Sequence, residues 1–448
     1  MNEQTVSSKT KMSIIAVALV AFSGILSETS MNVTFPRLEE VFQIPLSSIQ
    51  WVTTAYLLAV SIVMPTSSYL NRRFQERPLF FAALLFFTLG DIVGMASVNF
   101  QMLILARLIQ GVGTGIAVPL MFNIILLRVP RQHVGAWMGL GGMIMSIAPA
   151  IGPTYGGLLI DHLGWRLIFG LILIVPVVSF ILGFKSIENS EKSQPAALDV
   201  LAFILMSLTL ISLLLSLNSL TSTHFNWTWL IVFIISLILF IYRALHSEKE
   251  FLDIRVFRNS AFTLSVIAYS ILQFSNIGAN MIIPNYLQVS IGLTSALAGL
   301  ALLPGTLVGA LSNRSIGALY DRKGPKIGFW LGNSLFVLSL ILFVIFTKQL
   351  GLISVIFIYI IFTFGRSMGF LTANTHGVTQ VSRKEQGAAN AIFQTGQQFA
   401  ASAGTVIASL IATKSGNMTL GTHNVFLLFL ILGLINFVLF YSILRKQK

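Results

Sequence analysis

Cysteine is absent from the 448-residue chain, which excludes disulfides and thiolate metal sites. Charge is scarce: 10% of the residues are Asp, Glu, Lys or Arg, against about 25% in soluble domains. Acids are the rarer sign, 15 against 28 Lys and Arg. No Gly-Lys dipeptide occurs, so the chain lacks a Walker-type phosphate loop and any sign of ATP as the driver. It also lacks HExxH, and its one GxSxG match, GRSMG at 365–369, lies inside an apolar block rather than at the strand-to-helix turn of a nucleophile elbow. An enzyme is not expected, nor a metal site or a bound cofactor.

What the chain has is apolar surface. It is 55% hydrophobic, with a mean hydropathy of +0.85. The apolar residues come in blocks of roughly 20, the length a helix needs to cross about 30 Å of hydrocarbon. Fourteen blocks can be drawn, at about 12–34, 49–70, 78–98, 101–127, 134–160, 164–184, 198–218, 227–246, 260–284, 293–319, 326–347, 350–376, 388–412 and 423–444. The expected fold is an all-α polytopic membrane protein. The first block runs past the length of a signal-peptide core and ends in Glu28 and Asn32, so it reads as a retained span.

The net charge of +13 is unevenly placed. With the N-terminus inside, inner loops collect Arg72, Arg73, Arg77, Arg128, Arg243, Arg255, Arg258, Arg322, Lys323 and Lys326, among others. Outer loops hold only Arg37, Arg166, Lys348 and Lys414, and Arg107, Arg314 and Arg366 fall within spans. This bias sets both termini in the cytoplasm of a cell-membrane protein. It accounts for the basic clusters without nucleic acid.

The halves echo each other. SSYLNRRFQER (67–77) follows the second block and GALYDRKGPKI (317–327) follows the tenth. Weak self-similarity of this kind marks transporters built from repeats. The expected domains are a six-helix bundle at 12–184, a linker with two extra helices at 185–259, and a second bundle at 260–444. A monomer in the bilayer is expected.

Four stretches carry chemistry. In GALYDRKGPK, Asp321 and Arg322 are placed to latch one conformation, and Gly317 to let helices approach. In ARLIQGVGTGIAVP (106–119), Arg107 lies in a span, where a charge needs a partner or a wet cavity. Gly111 and Gly115 form a GxxxG pair for close packing. In APAIGPTYGGLL (148–159), Gly152, Pro153, Gly156 and Gly157 predict a kinked, tightly packed helix.

The fourth is ILSETSMNVTFP (25–36), with Glu28 deep in the first block. Asp91 is the other acid well inside a span. At about 1.5 Å per residue, Glu28 lies roughly 24 Å and Asp91 roughly 20 Å up from the inner side, and Arg107 about 9 Å down from the outer side. The three converge in depth. A carboxyl group in low dielectric resists ionisation and a neighbouring arginine favours it. A group balanced between the two can take a proton on one side and release it on the other. The alternative role is a static ion pair joining three helices. For a substrate pocket, Glu28, Asn32, Trp51, Tyr56, Asn276, Asn280, Phe393 and Gln394 are candidates, with Gln273 and Gln288 on the same polar stretch. The 35 phenylalanines suit amphipathic, cationic or zwitterionic substrates.

These stretches resemble the major facilitator superfamily, and within it the fourteen-span drug:proton antiporter branch (QacA/EmrB-like). SETSMNVTFP (27–36) resembles the first-span motif, ARLIQGVGTG (106–115) the fourth-span arginine motif, and IGPTYGG (151–157) the antiporter Gly-Pro motif. FLDIRVFRN (251–259) resembles the segment after the extra spans, and GALYDRKGPK the cytoplasmic loop motif. Two features depart from the pattern. Asn71, Ser67 and Phe74 replace the acid and glycines of the first loop copy. Glu28 stands one position after the usual acid, where this chain has Ser27. The resemblance implies proton-coupled export of drugs, dyes or biocides by alternating access. A transporter of one metabolite or siderophore, or a membrane sensor that moves nothing, are the alternatives.

Overall fold

A computed structural model describes residues 6–130, 133–189, 198–220, 225–247, 251–252, 254–382 and 385–445. The charged joints expected at 185–197 and 246–259 lie partly outside these residues, and nothing is described of the Arg314 side chain. Helices and short turns make up the described chain, with no strand among the described residues. In hydrocarbon every backbone N–H and C=O must find its partner within the segment, and a helix does this.

The long helices are α1 (Ser8–Met31), α2 (Trp51–Val63), α3 (Glu76–Met95), α4 (Phe100–Arg128), α5 (Val134–His162), α6 (Ile174–Ser186), α7 (Val200–Ser219), α8 (Trp227–His246), α9 (Ser260–Val289), α10 (Leu303–Lys323), α11 (Pro325–Phe346), α12 (Leu352–Thr379), α13 (Gln386–Lys414) and α14 (Met418–Arg445). Several start at side-chain caps. Asn99 Oδ1 accepts from Met102 N–H (2.8 Å), and Asn259 Oδ1 accepts from Ala261 and Phe262 N–H (3.0 and 3.1 Å). Such caps satisfy amides that a helix start leaves open.

Thirteen helical segments among the described residues are long and apolar enough to cross a membrane. They cover every expected block except 388–412. That block lies on α13, which is 29 residues long but rich in Gln, Ser, Thr and small residues. Its Ala401, Ser402, Thr405 and Ser409 are fully buried. Protein neighbours, rather than lipid, surround that side of the helix.

Other expectations need correction. The first span does not end at 34: it continues through a 3-10 turn at Asn32–Thr34 into the helix Phe35–Phe42. The tenth block is interrupted, with Ser295–Leu300 separated from α10. Pro304 explains the break, because it has no N–H to give to the carbonyl of residue 300.

Helix α1 packs on α4, α5 and α6, and α3 packs on α4. Helix α9 packs on α12, α13 and α14, and α11 on α12 and α14. The two most extensive contacts between these sets are α2 against α13, and α5 against α10 and Ser295–Leu300. The inserted α7 lies against α8 and also reaches α2 and α13, where Leu58, Leu214 and Val406 form a small core. Charged residues gather at one end of the first set. Lys9 Nζ meets Glu188 Oε1 at 2.6 Å, and Arg128 Nη2 lies 3.7 Å from Glu76 Oε2.

At the other end, hydrogen bonds tie the sets together. Asn285 Nδ2 donates to Asn32 O (3.3 Å) and Gln288 Nε2 to Val33 O (3.0 Å). Ser409 Oγ donates to Leu46 O (3.2 Å). Asp161 accepts from the amides of Ser295 (3.3 Å) and Ala296 (2.8 Å) at the start of their short helix. A carboxylate there complements the positive end of the helix.

Candidate functional site: two arginines within the helical bundle

Arg107 is fully buried, so it does not snorkel to the surface. Close packing of α4 on α2 holds it there. A methyl on Gly111 would meet Ala59 Cβ at 2.6 Å and Tyr56 O at 2.7 Å, and one on Gly115 would meet Val63 Cβ at 2.8 Å. With the backbones this near, the Arg107 guanidinium lies over the Tyr56 ring, its Cζ 4.4 Å from the centroid. Its Nε donates to Val52 O (2.9 Å), and its Nη1 to Ser27 Oγ (2.7 Å) and Gln110 Oε1 (2.6 Å). Nη2 has no partner.

The two acids surround this centre without touching it. Asp91 is fully buried on α3, and its Oδ1 accepts from Gln110 Nε2. Its Oδ2 has no partner among the described residues. Glu28 is 6% exposed on α1 and makes no hydrogen bond or ion pair among the described residues. Both carboxyls lie within electrostatic reach of Arg107. The structure thus groups the three residues, with Gln110 bridging Asp91 and Arg107 in place of a salt bridge and Glu28 joined to neither by a hydrogen bond among the described residues. Gln110 and Ser27 escape a reading of the sequence because neither carries charge. One signal was available: Ser27 occupies the position where the resembling family has its acid.

The remaining pocket candidates separate. Tyr56 lies under Arg107 and donates to Thr114 Oγ1 (3.0 Å). Asn32 does not continue the Glu28 face into a pocket. Its Oδ1 accepts from Thr53 Oγ1 (2.8 Å). Trp51 packs beside the Leu58–Leu214–Val406 core, against the inserted helix. Phe393 sits edge-on to Phe262 and Tyr269, at 5.6 and 4.9 Å. Gln394 is half-buried on α13, away from the cavity described next.

Asn276 and Asn280 do border a cavity, of about 100 Å³, together with Pro149, Thr306, Asn313 and Arg366. Arg366 sits on α12, the counterpart of α4 in the second set. Its Nη2 donates to Gln273 Oε1. Its Cζ lies 4.1 Å from the Phe370 ring centroid, and Phe370 stacks on Tyr269 at 3.9 Å. Nε has no partner. The Tyr359 hydroxyl donates to Asn280 Oδ1, leaving the amide nitrogen of Asn280 to the cavity.

The Gly-Pro stretch of α5 is gripped from both sides. Methyls on Gly152 and Gly156 would collide with Thr29 and with the Ser30 carbonyl of α1. A methyl on Gly157 would collide with Ser295 O, and Pro153 O leaves no room for one on Gly299. Gly317 differs from expectation: a methyl there meets nothing within 4 Å, so no helix approaches it. Asp321 and Arg322 are exposed in the last turn of α10, and neither forms a hydrogen bond or ion pair among the described residues.

Comparison with known proteins agrees with this architecture. The model of the Major Facilitator Superfamily matches residues 17–405 and 265–448. The lincomycin resistance protein LmrB of Listeria monocytogenes is 32% identical, over 97% of each chain. LmrB of Bacillus subtilis is 31% identical, over 92% of this chain and 86% of its own. Among solved structures, a bacterial homologue of the human lysosomal transporter Spinster superposes with a TM-score of 0.72, covering 98% of both chains at 11% identity. The chain therefore belongs to the Major Facilitator Superfamily and is a multi-pass membrane transporter rather than an enzyme.

Proposed function

We propose that the protein is a proton-coupled antiporter of the fourteen-span QacA/EmrB-like branch, exporting amphipathic small molecules by alternating access. The observation that carries this reading is the pair of buried carboxyls, Glu28 and Asp91, grouped around Arg107 with neither locked in a salt bridge. An acid held this way can change protonation when its surroundings change, and no competing ion pair must break first. The gradient supplies about 2.3 kcal/mol for each charge crossing 100 mV. Drug export is supported by the names of the LmrB relatives.

On this reading α1–α6 and α9–α14 are two six-helix bundles, with α7 and α8 inserted and α13 as the fourteenth span. The charged end faces the cytoplasm, both termini included, in the cell membrane of a monomeric transporter. The hydrogen bonds at the opposite end, from the Ser295 amide to Asp161 and from Gln288 to Val33, then close the outer side. Alternating access requires them to part while α5 pivots on its glycines.

The test uses everted vesicles holding a proton gradient. Addition of ethidium or norfloxacin should release protons in wild type and not in Glu28→Gln or Asp91→Asn at matched expression. Absence of release in wild type across several amphipathic substrates overturns drug antiport and favours a single-metabolite transporter. Transport that survives in Glu28→Gln with its proton release intact removes the carboxyl from coupling.

A further inference from the structure

The Arg366 cavity has no negative charge to match it. From residue 254 to the C-terminus the chain contains two acids, Asp321 and Glu385. Asp321 is exposed in the last turn of α10, and Glu385 precedes α13 with its carboxylate on Ser382. The partners of Arg366 are all neutral: the Gln273 oxygen and the face of Phe370. A guanidinium enclosed among helices without a counter-ion is costly, and such charges mark substrate paths.

The groups beside it include amide N–H donors. Tyr359 donates to the Asn280 oxygen, and the N–H groups of that amide make no hydrogen bond among the described residues. Asn276 and Asn313 border the same space and make no hydrogen bond among the described residues. The stacked Phe370–Tyr269 pair adds an aromatic wall behind the guanidinium. A fork of N–H groups next to amide donors and a flat apolar surface matches a carboxylate on an aromatic body.

We infer that the Arg366 cavity is a recognition site for the carboxylate of an anionic or zwitterionic aromatic substrate. The inference rests on the transport reading above and sharpens it. Arg366 would contact the substrate, while Glu28 and Asp91 handle the proton. Pro149 of α5 borders the cavity too, so a substrate held there touches the proline-containing helix that joins the two sets.

Norfloxacin and its ethyl ester form a matched pair differing at the carboxylate. Binding to the purified full-length protein is measured at fixed pH, without a gradient, by isothermal titration and thermal shift. Wild type should bind the acid about tenfold or more tighter than the ester, as expected where a site loses its ion-pair partner. Arg366→Gln should erase that preference while leaving ester binding unchanged. Arg366→Lys should restore part of it, through charge without the fork. Equal affinity of wild type for acid and ester overturns the inference. So does an Arg366→Gln protein that weakens both ligands equally, which is the mark of a structural role, or one that leaves the preference intact. Because no gradient is present, failure of proton coupling leaves this measurement unaffected, and the two failures can be told apart.

Discussion

Each half of the molecule carries an arginine on its fourth long helix, and the two are built alike. Arg107 lies 4.4 Å over Tyr56 and Arg366 lies 4.1 Å over Phe370. Each donates to a glutamine, Gln110 or Gln273. Each keeps one nitrogen without a partner. The surroundings differ. Arg107 is fully enclosed, with Glu28 and Asp91 in electrostatic reach. Arg366 borders a cavity whose lining includes no acid. A positive charge among protonatable groups is suited to exchanging protons. The same charge among neutral donors beside open space is suited to holding an anion. One scaffold element, repeated, thus serves two chemistries through what surrounds it.

The largest expected effect is on the first centre. Glu28→Gln and Asp91→Asn should each abolish substrate-driven proton release in everted vesicles, while the protein remains in the membrane at wild-type levels. If only Glu28→Gln does so, Asp91 is a packing group and the contrast between halves narrows to a single carboxyl. Next, the second centre can be made to imitate the first. Gln273→Glu would place a carboxylate on Arg366, satisfying the charge internally. Norfloxacin affinity should fall about tenfold with no loss of thermal stability. Unchanged affinity would mean that Arg366 is not what the acid meets.

The bridge at the first centre should show a smaller effect. Gln110→Leu removes the amide shared by Asp91 and Arg107 and leaves buried groups unpaired. A destabilisation of about 1–3 kcal/mol is expected, read as a lower melting temperature, with norfloxacin binding in the other half unmoved. The smallest effect belongs to the inserted pair, outside both centres. Burial opposes ionisation of Asp199. Hydrogen bonds from Ser247, the Ala202 amide and Arg243 outweigh it and hold the carboxyl below its usual range. A lowered folded pKa stabilises above the unfolded value of about 3.9 and is lost as the pH falls through the folded one. Asp199→Asn should therefore lower the melting temperature slightly at pH 7 and have no effect near pH 2.

The sequence announced most of the fold because lipid demands long apolar runs, and the blocks drawn on that rule fall on helices. What it hid were places where protein replaces lipid. The polar, small-residue α13 is surrounded by helices α2, α7 and α9, so hydropathy understates it. The interruption before α10 follows from Pro304 and is readable only once that segment is known to be helical. At the first centre, depth alone suggested that Glu28, Asp91 and Arg107 meet, since counting residues along a helix gives height. It could not supply Gln110 or Ser27, which carry no charge and lie in stretches otherwise explained by close packing. At the second centre Arg366 was visible as a charge within a span. Without a matching acid in the sequence, nothing singled it out.

The most direct test compares two readouts in the same proteoliposomes: substrate counterflow, which needs only binding and alternation, and uptake driven by an imposed proton gradient. With norfloxacin as substrate, Glu28→Gln should retain counterflow and lose gradient-driven uptake, whereas Arg366→Gln should lose both. If Glu28→Gln abolishes counterflow as well, or Arg366→Gln transports norfloxacin normally, proton handling and substrate recognition are not divided between the halves.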